Sequence, residues 1–500
     1  MVLKETLPPA KQKSLILFLA GLCLILLQFF MIREVTALLT GTELVIFLVA
    51  IAYFSGYSVG YILSDKLSLL AIRRFTLLFW ISHLSLPFSL RYWMGSVATD
   101  LPSVAFVFII FFTAFALSSF YSLLLPRFID MSSDGADSLA SLYSIELMGA
   151  IFGLIVVFLF GSITWLQPVI YQIALAAIVI LIIGGNKIKI VAGFVLVMYG
   201  FSFTTLDFKS LAYHYTHFHG IPGCKILYSV NSPYQKIDIV ESAFGERYIY
   251  LDGKKNYGST GLKLFNVFLS QTPANLVKPK NALALGAGSL EAIKYVGSVA
   301  DRLRIVDIDG AVPEGSKLHF KYTNKFDEYD NWVLTIDDAK SFLNETDELF
   351  DLVTVDIPAP LQIQTGLLHS VEFYEMVKER LAPGGVISIS LSGTFKRTNK
   401  TPRTVAAALT RVFDEVLIFT PDVAHRSFAI AGDKLPFTRE DLISEAVRLG
   451  AEEVSVFDKT QAINIIGTMP PITYNDVSYP LKRSIRRVRK SYFSSKGSSD

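Results

Sequence analysis

Glycine and aspartate residues recur at the ends of successive apolar runs in the second half of the chain. Gly286 and Gly288 follow one run and precede a helix-like segment, where bare backbone lets a ligand approach and helix amides can donate to it. Asp307 ends the next run, where a carboxylate can accept both hydroxyls of a ribose. Asp338 follows the third run and Asp356 ends the fourth. Because ligands bind at the carboxyl ends of parallel strands, these residues predict one pocket for a nucleotide-like ligand.

Apolar, β-branched runs separated by helix-length segments must position these residues. The last two runs are joined by a short turn. This pattern predicts an open α/β sheet of parallel strands with an antiparallel end, the Rossmann-like fold of transferases that use S-adenosylmethionine. Upstream, alternating apolar and polar residues flank the turn SAFGER and predict a small antiparallel β-hairpin domain. The predicted strands of the large sheet are 282–286, 303–309, 332–336, 350–356, 385–391, 416–421 and 427–432.

The first part of the chain has the composition of a membrane protein. The whole chain is 52% hydrophobic and only 18% charged, which is outside the range of most soluble proteins. Several stretches are long enough to cross a bilayer, and they predict a multi-pass α-helical membrane domain of six or seven spans. Small residues four positions apart, as in Gly149 with Gly153 and Gly56 with Gly60, predict close helix packing. The predicted spans are 14–32, 43–63, 75–93, 104–125, 139–165, 168–183 and, more weakly, 190–206.

The number of spans decides on which side of the membrane the α/β domain lies. Lysine and arginine residues cluster beside the N-terminus and every second loop, which predicts a cytosolic N-terminus in a bacterial inner-membrane type of protein. Six spans would return the chain to the cytosol, and seven would carry it outside. A cytosolic cofactor and a basic C-terminus suited to anionic lipid favour the cytosol. The predicted domains are a basic tail 1–13, a transmembrane domain 14–206, a linker and β-hairpin domain 207–265, an α/β domain 266–470, and a basic, then serine-rich tail 471–500.

The order of the motifs resembles the spermidine synthases, or polyamine aminopropyltransferases, and specifically their membrane-fused relatives. The resemblance covers about residues 230–435. SPYQKIDIV and YIYLDGKKN are similar to the N-terminal hairpins of that family, ALGAGSLEA to its glycine motif and IVDIDGAV to its ribose-binding strand end. TIDDAKSFL resembles the acidic motif at the adenine, and FDLVTVDIPAP resembles the catalytic strand. The resemblance implies a homodimer that uses S-adenosylmethionine or its decarboxylated form as co-substrate and needs no metal.

Carried over to this sequence, the resemblance also implies individual roles. Asp356 would take the proton from an attacking amine, and Asp338 would bind the adenine amino group. An ammonium is not a nucleophile, so a carboxylate must remove its proton before the nitrogen attacks the carbon next to a sulfonium. The implied cofactor-binding residues are Gln235, Gly286, Gly288, Asp307 and Asp338, and the implied substrate-binding residues are Tyr234, Asp252 and Ser289.

The amine half of this implied site departs from the family pattern. Ser289 stands where the family has an acid, and Ala359 stands where it has a second aspartate after the catalytic one. Asn256 replaces a glutamine, and no acid follows it before the next proline. Desolvating two or more ammonium groups requires carboxylate partners. We therefore predict an aminopropyltransferase-like enzyme whose acceptor is not a standard polyamine but a lipid, a peptide or a monoamine delivered by the membrane domain.

Other functions fit parts of the same sequence. A methyltransferase could use the same cofactor pocket, and a non-catalytic sensor or transport-linked membrane protein could bind a nucleoside there. His214, His217 and His219 could hold a metal ion, but their spacing matches no standard site, and such residues also suit the headgroup level of a membrane. The formal net charge of +2 gives no reason to expect a nucleic-acid partner.

Overall fold

A computed structural model of the chain divides into two compact units. The helical unit comprises the residues up to 245 and residues 250–255, and the α/β unit comprises 246–249 and 256–487. The structure describes residues 9–39, 43–64, 66–97, 103–129, 138–260, 263–360, 362–480 and 482.

The helical unit contains eight helices among its described residues, seven of them long. Two antiparallel strands follow the last helix and begin a four-stranded sheet of order β1-β2-β3-β4. The helices are α1 (Ala10–Leu39), α2 (Glu43–Ser64), α3 (Leu69–Val97), α4 (Ser103–Ser122), α5 (Leu124–Phe128), α6 (Leu139–Phe160), α7 (Leu166–Ile183) and α8 (Asn186–His217). The strands are β1 (Lys225–Asn231), β2 (Lys236–Glu241), β3 (Arg247–Leu251) and β4 (Lys254–Gly258).

Six helical segments of the described chain are long and apolar enough to cross a membrane. They lie in α1, α2, α4 with α5, α6, α7 and α8. The third predicted span, 75–93, is helical within α3, but α3 carries Arg73, Arg74 and Arg91 and is not among the six. The weak seventh span, 190–206, is part of the 32-residue helix α8 and is one of the six.

The seven long helices run in alternate directions along the chain. Phe88 of α3 contacts Phe203 of α8, and Tyr92, further along α3, contacts Tyr213, further along α8. These two helices are therefore parallel. In α1, Phe18 faces Gly149 and Leu22 faces Gly153, so α1 and α6 are also parallel. Gln12 instead contacts residue 181 and residue 23 contacts residue 171, so α7 runs the opposite way. Arg91 of α3 bonds Glu34 near the end of α1, which gives α1, α3, α6 and α8 one common direction.

Glycines allow the close helix packing that the sequence predicts. A Cβ atom at Gly149 would lie 1.9 Å from the backbone oxygen of Phe18, and one at Gly56 would lie 2.2 Å from that of Phe115. Such separations are far below van der Waals contact, so the α1–α6 and α2–α4 backbones can meet only because these positions lack side chains. The prediction of small-residue packing is confirmed.

The α/β unit is built on one large twisted sheet with helices between its strands. Its strands are β5 (Asn281–Leu285), β6 (Arg302–Asp307), β7 (Trp332–Ile336), β8 (Phe350–Val355), β9 (Leu381–Ser390), β10 (Glu415–Pro421), β11 (Phe428–Gly432) and β12 (Val454–Phe457). Its α-helices are α9 (Lys263–Asn266), α10 (Thr272–Val277), α11 (Ala311–His319), α12 (Lys321–Asn324), α13 (Ala339–Glu345), α14 (Ile363–Leu367), α15 (Val371–Glu379), α16 (Lys400–Val412), α17 (Arg439–Arg448) and α18 (Lys459–Ile466). Two π-helical turns cover Val267–Gln271 and Ile293–Gly297, and a 3-10 turn covers Asp422–Ala424.

The strand order of the large sheet is β12-β10-β11-β9-β8-β5-β6-β7. The five strands from β9 to β7 pair in parallel, and β11, β10 and β12 pair antiparallel at one end. The predicted Rossmann-like sheet with an antiparallel end is confirmed. The eighth strand, β12, was not predicted, because a run of four residues carries too little of the two-residue period to stand out.

Candidate active site

The register of the parallel strands gathers the predicted strand-end residues at one edge of the sheet. Leu285 of β5 pairs with Val306 of β6 on one side and with Val355 of β8 on the other. The next residue along each strand therefore stands at the same level. Backbone hydrogen bonds continue across this edge, from Asp356 N to Leu285 O at 2.8 Å and from Asp337 N to Asp307 O at 3.0 Å. The sheet thus brings the glycine turn and the strand-end aspartates together.

The glycine turn has no room for side chains. Gly286 has a φ of +75°, and a Cβ there would lie 2.5 Å from the backbone oxygen of Asp356. A Cβ at Gly288 would lie 2.5 Å from Oδ2 of Asp307. These two positions keep bare backbone amides against the strand-end carboxylates, as the approach of a nucleoside to the backbone requires.

Asp307 and Asp338 each keep acceptor capacity for a ligand. Oδ1 of Asp307 accepts a hydrogen bond from Asp309 N at 2.9 Å, and burial raises the pKa of this carboxyl to about 6. Oδ1 of Asp338 accepts from Lys340 N and Ser341 N and thereby caps α13. A carboxylate has two oxygens, so this N-cap role leaves Oδ2 of Asp338 for a ligand.

Asp356 has the protonation behaviour expected of a general base. Burial and the nearby charge of Asp307 raise its pKa to about 7, while the guanidinium of Arg426 acts in the opposite direction. The loop after Asp356 is fixed by the buried His369, whose Nε2 donates to Pro358 O at 3.0 Å. Burial lowers the pKa of His369 to about 4, so the ring is neutral and supports the loop without adding charge.

Glu291 is a site residue that the sequence reasoning missed. Its side chain is 2% exposed, and Oε2 accepts a hydrogen bond from Asn266 Nδ2 at 2.6 Å. Burial and the charge of Asp356 raise its pKa to about 7. Leu290 has a φ of +61°, and this unusual turn directs the next residue inward. The sequence does show this acid two positions after Ser289. The acid of the family, however, was expected at the position of Ser289 itself.

Arg426 is the second site residue that the sequence did not reveal. It precedes β11, whose Phe428 pairs with Ser390 at the end of β9, so it stands at the same sheet edge as Asp356. Its guanidinium lies 4.9 Å from the centre of the Phe265 ring, and it lowers the pKa of Asp356. Only the strand order places this cation beside the acid, and the linear sequence separates the two by seventy positions.

Ser289 and Ala359 take part in backbone hydrogen bonds instead of supplying carboxylates. Ser289 is buried, its Oγ accepts from Glu291 N at 3.4 Å and its carbonyl accepts from Asn324 Nδ2. The carbonyl of Ala359 accepts from Thr365 Oγ1 at 3.1 Å. These contacts fix the turns that follow β5 and β8 at this edge of the sheet.

The remaining predicted residues lie in turns of the helical unit. Tyr234 is 57% exposed in the β1–β2 turn, and the backbone N of Gln235 donates to Ser232 Oγ at 3.0 Å. Asp252 lies in the β3–β4 turn and accepts from Lys236 N at 2.9 Å, and burial raises the pKa of its carboxyl. The side chain of Asp252 therefore has a structural role within its own unit.

The three histidines at the end of α8 and just beyond it do not converge on one point. The rings of His214 and His219 are 5.3 Å apart, whereas His217 stacks on Tyr213 and its Nδ1 donates to the Tyr213 carbonyl. No group of three or more metal-binding side chains occurs among the described residues. The hypothesis of a metal site at these histidines has no support from the geometry.

Comparison with known proteins finds similarity in the α/β unit. Residues 265–422 match the spermine/spermidine synthase domain. A polyamine aminopropyltransferase of Oceanobacillus iheyensis is 32% identical over 170 residues, which cover 33% of this chain and 33% of that protein. One from Thermoplasma volcanium is 28% identical over 197 residues, 39% of this chain and 71% of that protein. The chain thus spans about a third of the first of these relatives. A crystal structure of spermidine synthase with the transition-state analogue AdoDATO aligns with a TM-score of 0.40 and 21% identity, over 51% of this chain and 88% of that chain.

Proposed function

Because residues 265–422 match the spermine/spermidine synthase domain, we propose that the protein is an aminopropyltransferase-like enzyme. It would transfer an aminopropyl or related group from a sulfonium nucleoside to an amine. The observation that carries this proposal is Asp356, a partly buried carboxyl with a pKa of about 7 beside a bare glycine turn. A general base is most effective when its pKa lies near the working pH.

The proposed transfer is a displacement at the carbon next to the sulfonium. Asp356 accepts one proton from the acceptor ammonium, and the freed nitrogen lone pair forms the new carbon–nitrogen bond. The carbon–sulfur bond breaks, and its electron pair neutralises the sulfonium, so the second product is methylthioadenosine. Because the sulfonium is already a good leaving group, the step requires no metal ion.

The donor would be decarboxylated S-adenosylmethionine or S-adenosylmethionine itself. In this proposal both ribose hydroxyls donate to Asp307, and the adenine amino group donates to the free Oδ2 of Asp338. The backbone amides at Gly286 and Gly288 face the same ligand. The observed acceptor capacity of both carboxyl groups supports this assignment.

The acceptor would be an amine with a single positive charge near the reacting centre. Glu291 supplies one carboxylate on that side of the pocket, but Ser289 and Ala359 supply none. Arg426 adds a cation beside Asp356. A second ammonium of putrescine or spermidine would be repelled there, which supports an acceptor other than a standard polyamine.

The helical unit would anchor the enzyme in a lipid bilayer. Its six long apolar segments support this part of the proposal. Because the donor is available mainly in the cytosol, we place the α/β unit on the cytosolic side. The assembly would be a homodimer, as the family resemblance implies.

The test is product analysis with the purified full chain in detergent. Each donor is incubated with putrescine, spermidine, butylamine and 4-aminobutyrate, and the nucleoside product is identified by mass spectrometry. We expect methylthioadenosine, with the monoamines better acceptors than the polyamines. Adenosylhomocysteine as the product would establish a methyltransferase instead. Donor binding without turnover would favour the non-catalytic sensor, and efficient spermidine formation from putrescine would refute the proposed acceptor.

A further inference from the structure

Two adjoining cavities lie inside the helical unit between α1, α3, α7 and α8. The first contains about 330 Å³ free of protein atoms and the second about 420 Å³, and both volumes include space that is open to solvent. They share the side chains of Phe30, Pro87, Gln167 and Pro168, so the two cavities are direct neighbours. We call the first the apolar chamber, because Leu26, Leu27, Leu86 and Tyr171 also line it. We call the second the charged chamber.

The apolar chamber contains two hydrogen-bond acceptors without partners and the Tyr199 hydroxyl, which interacts with Gln172 and can both donate and accept. His83 and Gln172 line it, and each is only 1% exposed. Gln172 Nε2 donates to the His83 carbonyl at 2.9 Å, which fixes the amide so that Oε1 is the free end. His83 Nδ1 lies 2.7 Å from the Phe79 carbonyl, which can only accept, so Nδ1 carries the hydrogen and the partnerless Nε2 is an acceptor. Buried acceptors without partners are costly. The Tyr199 hydroxyl can donate to Gln172, so His83 Nε2 is the acceptor that most needs a further donor.

The charged chamber contains a buried acceptor without a partner, Asn231 Oδ1, together with charged side chains. Glu34 and Asp207 line it, but Arg91 bonds both carboxylates and Lys236 Nζ lies 3.5 Å from Glu34 Oε1. The remaining cation is Arg33, whose buried Nη1 makes no hydrogen bond.

The lining of the charged chamber therefore has three cations and two carboxylates. Asp252, outside the lining, acts on Arg33 electrostatically but does not accept this Nη1 hydrogen. An unused donor on a guanidinium suits a carboxylate.

We propose that the two chambers together bind a small zwitterion, a molecule with an amine at one end and a carboxylate at the other. Its ammonium, which has three N–H donors and no acceptor, would donate to His83 Nε2 and Gln172 Oε1. Its carboxylate would accept from Arg33 Nη1, and its short aliphatic chain would lie against Phe30 and Pro87 between the chambers. Gln167 Nε2, which also has no partner, stands at the junction and can bond either end when its amide rotates. The site lies within the helical unit and does not depend on the proposed transfer reaction.

Equilibrium binding to the full chain in detergent tests this proposal directly. The probes are radiolabelled 3-aminopropionate, 4-aminobutyrate and 6-aminohexanoate, with butylamine and butyrate as analogues that lack one charged end. We expect saturable binding of at least one of the three amino acids, and about tenfold weaker binding of both analogues, because each analogue leaves one set of buried partners unused. No saturable binding of any amino acid would mean that the cavities hold only water and would overturn the proposal.

Matched variants separate binding from folding. Gln172→Met removes the acceptor in the apolar chamber at similar volume, and Gln12→Met removes a comparable hydrogen bond, to the Leu181 carbonyl, outside both chambers. We expect Gln172→Met and Arg33→Met to weaken amino-acid binding about tenfold and Gln12→Met to leave it unchanged, with similar thermal midpoints for Gln172→Met and Gln12→Met. Equal affinity of Gln172→Met and Gln12→Met, or butylamine binding as tightly as the best amino acid, would refute the assignment.

Discussion

Asp356 determines how the proposed transfer should depend on pH. A general base acts only when deprotonated, and burial with the charge of Asp307 raises the pKa of this carboxyl to about 7. The rate of methylthioadenosine release at low acceptor concentration should therefore rise with pH and level off above about 7. A rate that is flat between pH 5 and pH 9 would exclude Asp356 as the base.

Replacement of the same carboxyl tests its role in chemistry apart from its role in binding. Asp356→Asn keeps the size of the side chain and removes the base, so turnover should fall by about 10²- to 10⁴-fold. Binding of methylthioadenosine, measured by equilibrium dialysis, should stay within a few-fold of the unchanged protein. Asp433→Asn, at an exposed carboxylate paired with Lys378, is the matched control and should keep full turnover.

Arg426 should tune Asp356 without taking part in the reaction. Its positive charge lowers the pKa of Asp356, so Arg426→Ala should raise that pKa and move the rising limb of the rate profile to higher pH. Arg448→Ala removes an exposed arginine that pairs with Glu445 on α17, and it should leave the profile in place. A profile that moves to lower pH, or not at all, in Arg426→Ala would contradict the geometry.

These residues differ in how far the sequence revealed them. Asp307 and Asp356 were predictable because each directly follows an apolar run, and a strand end needs no knowledge of its neighbours. Glu291 and Arg426 were not, because their place in the site depends on a left-handed turn at Leu290 and on the pairing of β11 with β9. Contacts that strand order creates between distant segments leave no periodic pattern in the sequence.

The same limit applies to elements. The central parallel strands β5 and β8 were visible as continuous apolar runs, because a strand covered on both faces has no polar alternation. The strand Val454–Phe457 was too short to be recognised, and α8 looked weak because Ser202, Thr204 and Thr205 interrupt its apolar surface. Helix α8 nevertheless forms, since backbone hydrogen bonding continues to His217 and packing on α3 covers Tyr199 and Phe203.

Close packing of α1 on α6 should make Gly149 intolerant of any side chain. A Cβ there would meet the Phe18 carbonyl at 1.9 Å, and backbone cannot move aside as a flexible side chain can. Gly149→Ala should therefore cost about 1–3 kcal/mol and lower the thermal midpoint in detergent. Gly200→Ala is the control, because nothing lies within 4 Å of a Cβ at that position on α8 and alanine favours a helix. Equal midpoints for the two variants would show that α1 and α6 do not pack at this distance.

The alternating helices make a prediction about the whole molecule. Helices α1 and α8 run in the same direction and are the first and last of seven long helices. The start of α1 and the end of α8 should therefore lie on opposite sides of a bilayer. Lys11 is exposed at the start of α1, and Phe244, which follows α8, is 79% exposed. The native residues Cys23 and Cys224 are buried, so a cysteine introduced at either position can be labelled selectively.

Labelling of whole cells with a membrane-impermeant maleimide tests this arrangement. We expect one of the variants Lys11→Cys and Phe244→Cys to react in intact cells and the other to react only after the membrane is opened. Reaction of both, or of neither, in intact cells would mean an even number of crossings.

The identity of the reactive variant then decides between two arguments that disagree. The basic residues beside the N-terminus favour Lys11 in the cytosol, whereas the proposed donor requires the α/β unit there. Labelling of Phe244→Cys from outside would put the α/β unit out of reach of a cytosolic sulfonium nucleoside, and the proposed transfer would then require an exported donor.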